Sequence, residues 1–295
     1  MNDRFSDVPG VRVGHAHDRH VNTGVTVIVP LAPAVMAVDV RGGGPGTRET
    51  DALDPSTLVE RVHGLSLSGG TVFGLAAADE LVLCLSAAGI GLPMRPGLPP
   101  VPVVPGAILF DLANGGDKDW GNDPPYRRLA RAAFAALGYG DESGRVGAGH
   151  GARAGSRAGG TGSVSAVLST GHVIGALVAV NCFGEVYDGA PPEGAVPMPK
   201  LGRVEGLARQ NTCIGAVATD APLTRAQARR VAMMAQDGLA RAIRPIHSPF
   251  DGDAIFVIST APETGSGSDP VLLTEIGTIA ADLVARAVRR GVAEA

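Results

Sequence analysis

Aromatic side chains are scarce in this chain, at 4% of 295 residues. Basic residues hold no majority either: 25 Lys and Arg stand against 29 Asp and Glu, for a net charge of −4. A groove that tracks phosphates needs a basic excess, and a surface that stacks bases needs aromatic rings. Nucleic acid is therefore not an expected partner. Cysteine is sparse too. Cys84, Cys182 and Cys213 are odd in number, far apart and without any CxxC spacing. That argues against a disulfide framework or a cysteine zinc site, and fits a reduced, cytoplasmic setting. No uncharged apolar run reaches the ~18 residues that span a bilayer, so no membrane is expected. The run around Val72–Ala88 is interrupted by Asp79 and Glu80 and reads as a buried helix. Met1 to Asp7 hold no apolar stretch of the kind a secretory signal requires. No internal repeat is present.

What the chain does have is apolar content, at 45%, together with 42 glycines and 22 prolines that follow no collagen-like period. Glycines interleaved with apolar runs point to turns and close backbone packing around a sizeable core. Val25–Val29 and Val35–Val40 read as strands separated by Pro30 and Pro33. Helices are expected from Asp54-Pro55-Ser56 onward, from after Gly69-Gly70 to near Gly89, and over Tyr126–Leu137. A glycine-rich segment, 147–162, leads into β-prone runs at Ser163–Ser169, His172–Asn181 and Thr212–Thr219. Thr224 with Gln227 three residues later is a capping-box pattern opening a helix to Ile243. Ala254–Thr260 reads as a strand and Leu273–Arg290 as a final helix. Strands so closely connected suggest a layered α/β sandwich rather than a simple alternation.

Several local patterns could carry chemistry. At Asn211-Thr212 a polar residue with a nucleophilic hydroxyl opens an apolar strand. The stretch before it, 189–210, is rich in Pro and Gly and lacks periodicity. Loops of that length tend to be functional or processed. Cutting Asn211–Thr212 would put a hydroxyl and a free α-amine on one residue. An α-amine titrates near ~8, so it could accept the proton of its own hydroxyl. The ordinary alternative is a strand preceded by a polar loop. His15, His17, Asp18 and His20 hold two metal-ligand types but lack a Glu or Cys set at ligand spacing, so no metal is expected. Gly147-Ala148-Gly149-His150-Gly151 lacks both the acidic residue of a dinucleotide fingerprint and the Lys-Ser/Thr of a phosphate loop. It reads as a backbone-rich loop beside a site. Asp251-Gly252-Asp253 is a turn by default, and its two carboxylates could also orient an amine.

Six segments in order resemble the L-aminopeptidase/D-esterase (DmpA-like) family, which includes β-aminopeptidases and nylon-oligomer hydrolases. They are Gly10–His15, Val40–Thr47, Leu67–Leu75, Val146–Gly149, Asn211-Thr212 and His247–Phe256. Together they span nearly the whole chain. The resemblance implies a four-layer α-β-β-α sandwich of the N-terminal nucleophile hydrolase type, shared with ornithine acetyltransferase, as one catalytic domain over 1–295. It implies self-cleavage at Asn211–Thr212 into an α chain, 1–211, and a β chain, 212–295, with Thr212 as nucleophile. Asn181 takes the role of the carbonyl-polarising asparagine, and Asp251 and Asp253 that of the acidic pair that positions the new amine and the nucleophile.

The resemblance further implies no cofactor, small amide or short-peptide substrates, and a homo-oligomer of αβ units, tetrameric or larger. Two positions depart from the nylon-oligomer branch. Ser156, followed by Arg157, stands where that branch has a lysine, and Phe110 stands where a tyrosine is found elsewhere. Arginine supplies charge but cannot act as a base, so these positions bear on substrate choice and on the efficiency of self-cleavage. The alternatives within reach of the sequence are a 6-aminohexanoate-oligomer hydrolase, an ornithine acetyltransferase-like acyl transfer, and a non-catalytic binding protein on the same scaffold.

Overall fold

Every residue of Thr212–Thr219 is buried, and a strand buried on both faces needs a layer above it and another below. The computed structural model, which describes residues 1–138, 141–194, 196, 211–262 and 266–295, supplies both. The first half of the chain runs through β1 (Val11–Asp18), β2 (Thr23–Pro30), β3 (Val35–Val40), β4 (Thr47–Arg48), β5 (Leu65–Ser68), α1 (Ala76–Ala87), β6 (Gly106–Ile108) and α2 (Tyr126–Ala135). It continues with β7 (Arg153–Ala154), β8 (Arg157–Ala158), β9 (Gly160–Val167), β10 (Val173–Asn181), β11 (Glu185–Val186) and β12 (Thr212–Thr219). The last elements are α3 (Arg225–Ala242), β13 (Ile243–Arg244), β14 (Ala254–Ser259) and α4 (Pro270–Ala293).

One sheet has the order β1-β2-β5-β6-β4 and the other β3-β14-β12-β10-β9. Side-chain alternation separates three apolar layers. On β12, Ile214 and Ala216 point between the sheets and meet Ile28, Leu65, Leu67 and Phe256. Their neighbours Cys213 and Val217 point outward onto Val231 and Leu239 of α3 and Val284 of α4. On the far side, Val25, Val27 and Val29 of β2 pack with Leu81 and Leu85 of α1 and Leu129 of α2. Helices, sheet, sheet and helices give the four-layer α-β-β-α sandwich.

The expected elements largely appear. The strands at 35–40 and 212–219 have the bounds read from the sequence, and the Thr224–Gln227 box is closed in both directions. Gln227 N–H donates to Thr224 Oγ1 (3.2 Å) and Thr224 N–H to Gln227 Oε1 (3.1 Å). The helix expected from Asp54 does not form. Asp54 Oδ1 instead accepts from Ser56 N–H and its hydroxyl, and Thr57 Oγ1 bonds back to the carbonyls of Ala52 and Asp54. These side chains satisfy the backbone locally in competition with a helical ladder, and Leu58 lies 96% exposed with no face to bury. His15 and His17 lie on β1. Of the stretch 189–210, residues 195 and 197–210 are outside the described residues. Among the described residues no helix is long and apolar enough to cross a membrane.

α4 packs against β9 where glycine faces it. A Cβ on Gly162 would stand 1.8 Å from Ala287 O, and one on Gly160 2.3 Å from Gly291 O. A methyl there must push a backbone away from a packed sheet, which costs about 1–3 kcal/mol. Gly162→Ala is expected to lower unfolding stability by about 2 kcal/mol in chemical denaturation; an unchanged midpoint would show that α4 gives way freely.

Candidate active site

Three strands end together, and their register assembles the site. β12 runs antiparallel to β10, with Thr212 opposite Asn181. It runs parallel to β14, with Ile214 opposite Ala254, and the parallel pairing continues upstream as a bridge between Asn211 and Asp251. The start of β12, the end of β10 and the loop before β14 therefore meet at one edge of the sandwich. By alternation Asn181 shares the inward face of Leu177 and Ala179, and Thr212 that of Ile214 and Ala216. Thr212, Asn181, Asp251 and Asp253 are all buried, with Thr212 3% exposed and the other three fully enclosed. The structure thus brings together the four residues expected to carry the chemistry.

The Asn211–Thr212 peptide is stitched to the acid loop on both sides. Asn211 N–H donates to Phe250 O (2.9 Å), and Asn211 O accepts from Gly252 N–H (3.0 Å). The Thr212 hydroxyl donates to that same carbonyl oxygen. Gly252 has no room for a side chain, since a Cβ would lie 2.9 Å from Thr212 Oγ1 and 2.7 Å from Gly44 O.

Two buried carboxylates in one loop are costly unless they are hydrogen-bonded. Asp253 Oδ1 accepts from Cys213 N–H (2.8 Å), while its Oδ2 accepts from His247 N–H (3.2 Å) and pairs with His247 Nδ1 (2.8 Å). Asp251 Oδ1 accepts from Phe183 N–H (3.2 Å), and its Oδ2 from Ser248 N–H (2.9 Å) and the Ser248 hydroxyl (2.5 Å). Burial, and then the neighbouring Asp253 charge, push the Asp251 carboxyl up to about 6. The donors from Ser248 and Phe183 act the other way. A strap after β3 clamps the loop from outside. Arg41 N–H donates to Asp253 O (2.9 Å), Gly43 N–H to Ser248 O (3.3 Å) and Gly44 N–H to Asp251 O (2.8 Å).

Asn181 is held by its amide. Its Oδ1 accepts from Arg153 N–H (2.8 Å) and Asn114 Nδ2 (3.3 Å), and its Nδ2 donates to Phe110 O (2.9 Å). One of its two amide hydrogens is left over for another acceptor. Phe110 therefore reaches the site through its backbone carbonyl. Ser156 and Arg157 lie on the exposed β7–β8 hairpin. Ser156 N–H and hydroxyl both bond Glu185 (2.9 and 3.0 Å), and Arg157 Nη2 donates to Val186 O (2.8 Å). The glycine-rich loop does lie beside the site, since Gly151 O accepts from Asn114 Nδ2 (3.0 Å).

The sequence assigned no role to His247, Ser248, Asn114 or the backbone N–H groups of Arg153 and Gly252. Only the histidine just upstream of Asp-Gly-Asp was a visible hint. His15 and His17 stand on β1, where His17 stacks on His150 with ring centroids 4.3 Å apart. Burial, with His17 beside it, brings His15 down to about 4. Among the described residues no three His, Cys, Asp or Glu side chains are placed to hold a metal ion.

Comparison with known proteins places the chain in a family. The description of peptidase family S58 matches residues 3–295. An uncharacterized aminopeptidase of Mycobacterium tuberculosis is 42% identical over 328 residues, covering 99% of this chain and 94% of that protein. A 6-aminohexanoate-oligomer endohydrolase of Paenarthrobacter ureafaciens is 30% identical, covering 96% of this chain and 84% of its own length. Among solved structures, a Burkholderia sp. beta-aminopeptidase superimposes with a TM-score of 0.77 at 25% identity, over 99% of this chain and 86% of its own. The L-aminopeptidase D-Ala-esterase/amidase of Ochrobactrum anthropi, described as a variant of the Ntn hydrolase fold, gives 0.77 at 23% identity, over 99% of this chain and 86% of its own. The chain belongs to peptidase family S58 and is a hydrolase of the aminopeptidase type.

Proposed function

We propose that the chain cuts itself between Asn211 and Thr212, and that the freed Thr212 then hydrolyses short peptides or amino-acid amides from their amino end. One observation carries this reading. The Asn211 carbonyl is gripped by Gly252 N–H while the Thr212 hydroxyl rests against it. A preorganised N–H on a carbonyl oxygen stabilises the negative charge that develops there under attack. In the first act Thr212 Oγ adds to the Asn211 carbonyl carbon, the hydroxyl proton passes to the peptide nitrogen, and the C–N bond breaks. The acyl group now sits on Oγ as an ester. Water hydrolyses that ester, leaving a carboxylate on Asn211 and both a hydroxyl and an amine on Thr212.

In the second act the same hydroxyl attacks a substrate amide, and the Thr212 amine takes its proton. The spare amide hydrogen of Asn181, which stands across the strand pair from Thr212, then meets the substrate oxyanion. The leaving amine collects the proton, and water then releases the acyl group from Oγ. Asp251 and Asp253 hold the amine in place, since both belong to the loop that clasps the junction. The relatives named for 6-aminohexanoate oligomers use a substrate with the same amide chemistry, so linear ω-amino-acid amides belong to the substrate class.

Purified wild-type protein is expected to show two polypeptides, of 211 and 84 residues, by mass spectrometry, and Thr212→Ala a single chain of 29.8 kDa without amidase activity. An intact wild-type chain that still hydrolyses amides would overturn the self-processing half, and no hydrolysis by processed protein would overturn the other. Asn181→Ala is expected to lower kcat on an amino-acid p-nitroanilide by ~10²–10³-fold; unchanged kcat would remove Asn181 from the oxyanion role.

The raised Asp251 carboxyl gives a pH signature in the uncut chain. The folded state holds this proton more tightly than the unfolded chain, whose carboxyl titrates near 3.8. Its stabilising contribution is complete below pH 3.8 and is lost as pH rises through about 6. Replacing the group removes that slope. Relative to Thr212→Ala, the double variant Thr212→Ala/Asp251→Asn is expected to gain on the order of 2–3 kcal/mol between pH 3.5 and 7 in denaturant unfolding. A constant difference across that range would contradict the assignment.

A further inference from the structure

We propose that the cleft walled by Arg145, Arg153 and Arg157 is a carboxylate-binding subsite, which selects substrates carrying a free carboxylate near the scissile amide. The substrate role rests on the hydrolase reading of Thr212. The cleft has a volume of about 270 Å³ and is lined also by Asn22, Asn114 and Ser156, with no acidic side chain in its wall among the described residues. It adjoins the catalytic centre directly. Arg153 N–H and Asn114 Nδ2, both in its wall, are the two donors to Asn181 Oδ1. A ligand in the cleft is thus one residue from the asparagine that faces Thr212.

The charge in this cleft is unspent. Arg48, Arg127, Arg131 and Arg290 each pair with a carboxylate elsewhere in the molecule. Among the described residues Arg145, Arg153 and Arg157 make no such pair. Each is tethered by a neutral oxygen instead: Arg145 Nη2 by Asn22 Oδ1 (2.9 Å), Arg157 Nη2 by Val186 O (2.8 Å) and Arg153 Nε weakly by Gly155 O (3.4 Å). A tethered guanidinium has lost part of its rotamer freedom and keeps further N–H groups for a planar anion. The nearby acid, Glu185, is already engaged by the Ser156 N–H and hydroxyl. Among the described residues, three cations against this one carboxylate leave a positive excess. The carboxylate can come from the C-terminus of a short peptide or from an acidic side chain, and both present the same two oxygens.

The cleft is formed by described residues of the uncut chain, so binding is read there without turnover. Thr212→Ala protein is titrated calorimetrically with Ala-Ala, Ala-Ala amide and Ala-Glu amide. Ala-Ala is expected to bind at least tenfold tighter than Ala-Ala amide. Arg145→Gln/Arg157→Gln in the same background should narrow the gap to within about twofold, with Arg145→Lys/Arg157→Lys recovering part of it. Ala-Glu amide binding as tightly as Ala-Ala would identify a side-chain carboxylate as an equal source, and weak binding would assign the site to the C-terminus. Equal affinity for all three ligands, or selectivity that survives the double Gln variant, overturns the subsite. With wild-type protein, kcat/KM for Ala-Ala should exceed that for Ala-Ala amide by tenfold or more, mainly through KM. Selective binding without turnover of any amide would sink the hydrolase reading alone, and turnover without carboxylate preference would sink the subsite alone.

Discussion

The alignment of β10, β12 and β14 is the constraint on which the site depends. One antiparallel and one parallel pairing bring the end of β10, the start of β12 and the approach to β14 to the same edge. A slip of one residue in either pairing would turn Thr212 or Asn181 to the opposite face of the sheet. That slip is costly because both faces are apolar and packed, so the cores on either side act as the guarantors of register. The reactive groups are held by the body of the sandwich rather than by the loops that carry some of them.

The acid loop shows how a polar cluster survives inside such a body. Backbone N–H groups supply much of what the carboxylates of Asp251 and Asp253 accept, with Ser248 and His247 completing the set. The strap at 41–44 passes so near that a Cβ on Gly42 would lie 2.3 Å from both Asp251 O and Asp253 N. The glycine run there is not a flexible linker. It is the thin part of a clamp, and its lack of side chains lets its own N–H groups reach the carbonyls of the loop.

How far the sequence foretold this depends on the range of the interaction. Strands β3 and β12 and the box that opens α3 were legible because apolar runs and capping pairs are local signals. The short strands β5 and β6 were not, since three or four residues carry too little pattern. Asp54 misled because its side chain offers the backbone a turn as readily as a helix start. At the site, Thr212, Asn181, Asp251 and Asp253 were legible through the whole-chain resemblance, and the structure places them together. Asn114, Arg153 and Gly252 were hidden for a physical reason. Arg153 and Gly252 act through main-chain N–H groups, which every residue except proline has, and the partner of Asn114 lies far along the chain. Ser156 and Arg157 were noticed as departures, but that Arg157 shares a cleft with Arg145 and Arg153 needed the folded hairpin.

The carboxylate pair brings two acidic groups into an enclosed site. Among the described residues, every hydrogen-bond partner of Asp251 and Asp253 except the His247 imidazole is a neutral dipole, and burial together with the Asp253 charge raises the Asp251 carboxyl. A peptide nitrogen at Thr212 cannot take up a charge, whereas an α-amine can. On the proposed reading, breaking the one bond between Asn211 and Thr212 creates a cation beside this pair. On that same reading the cut moves the local charge toward neutrality, so processing and the electrostatics of the acid loop are linked.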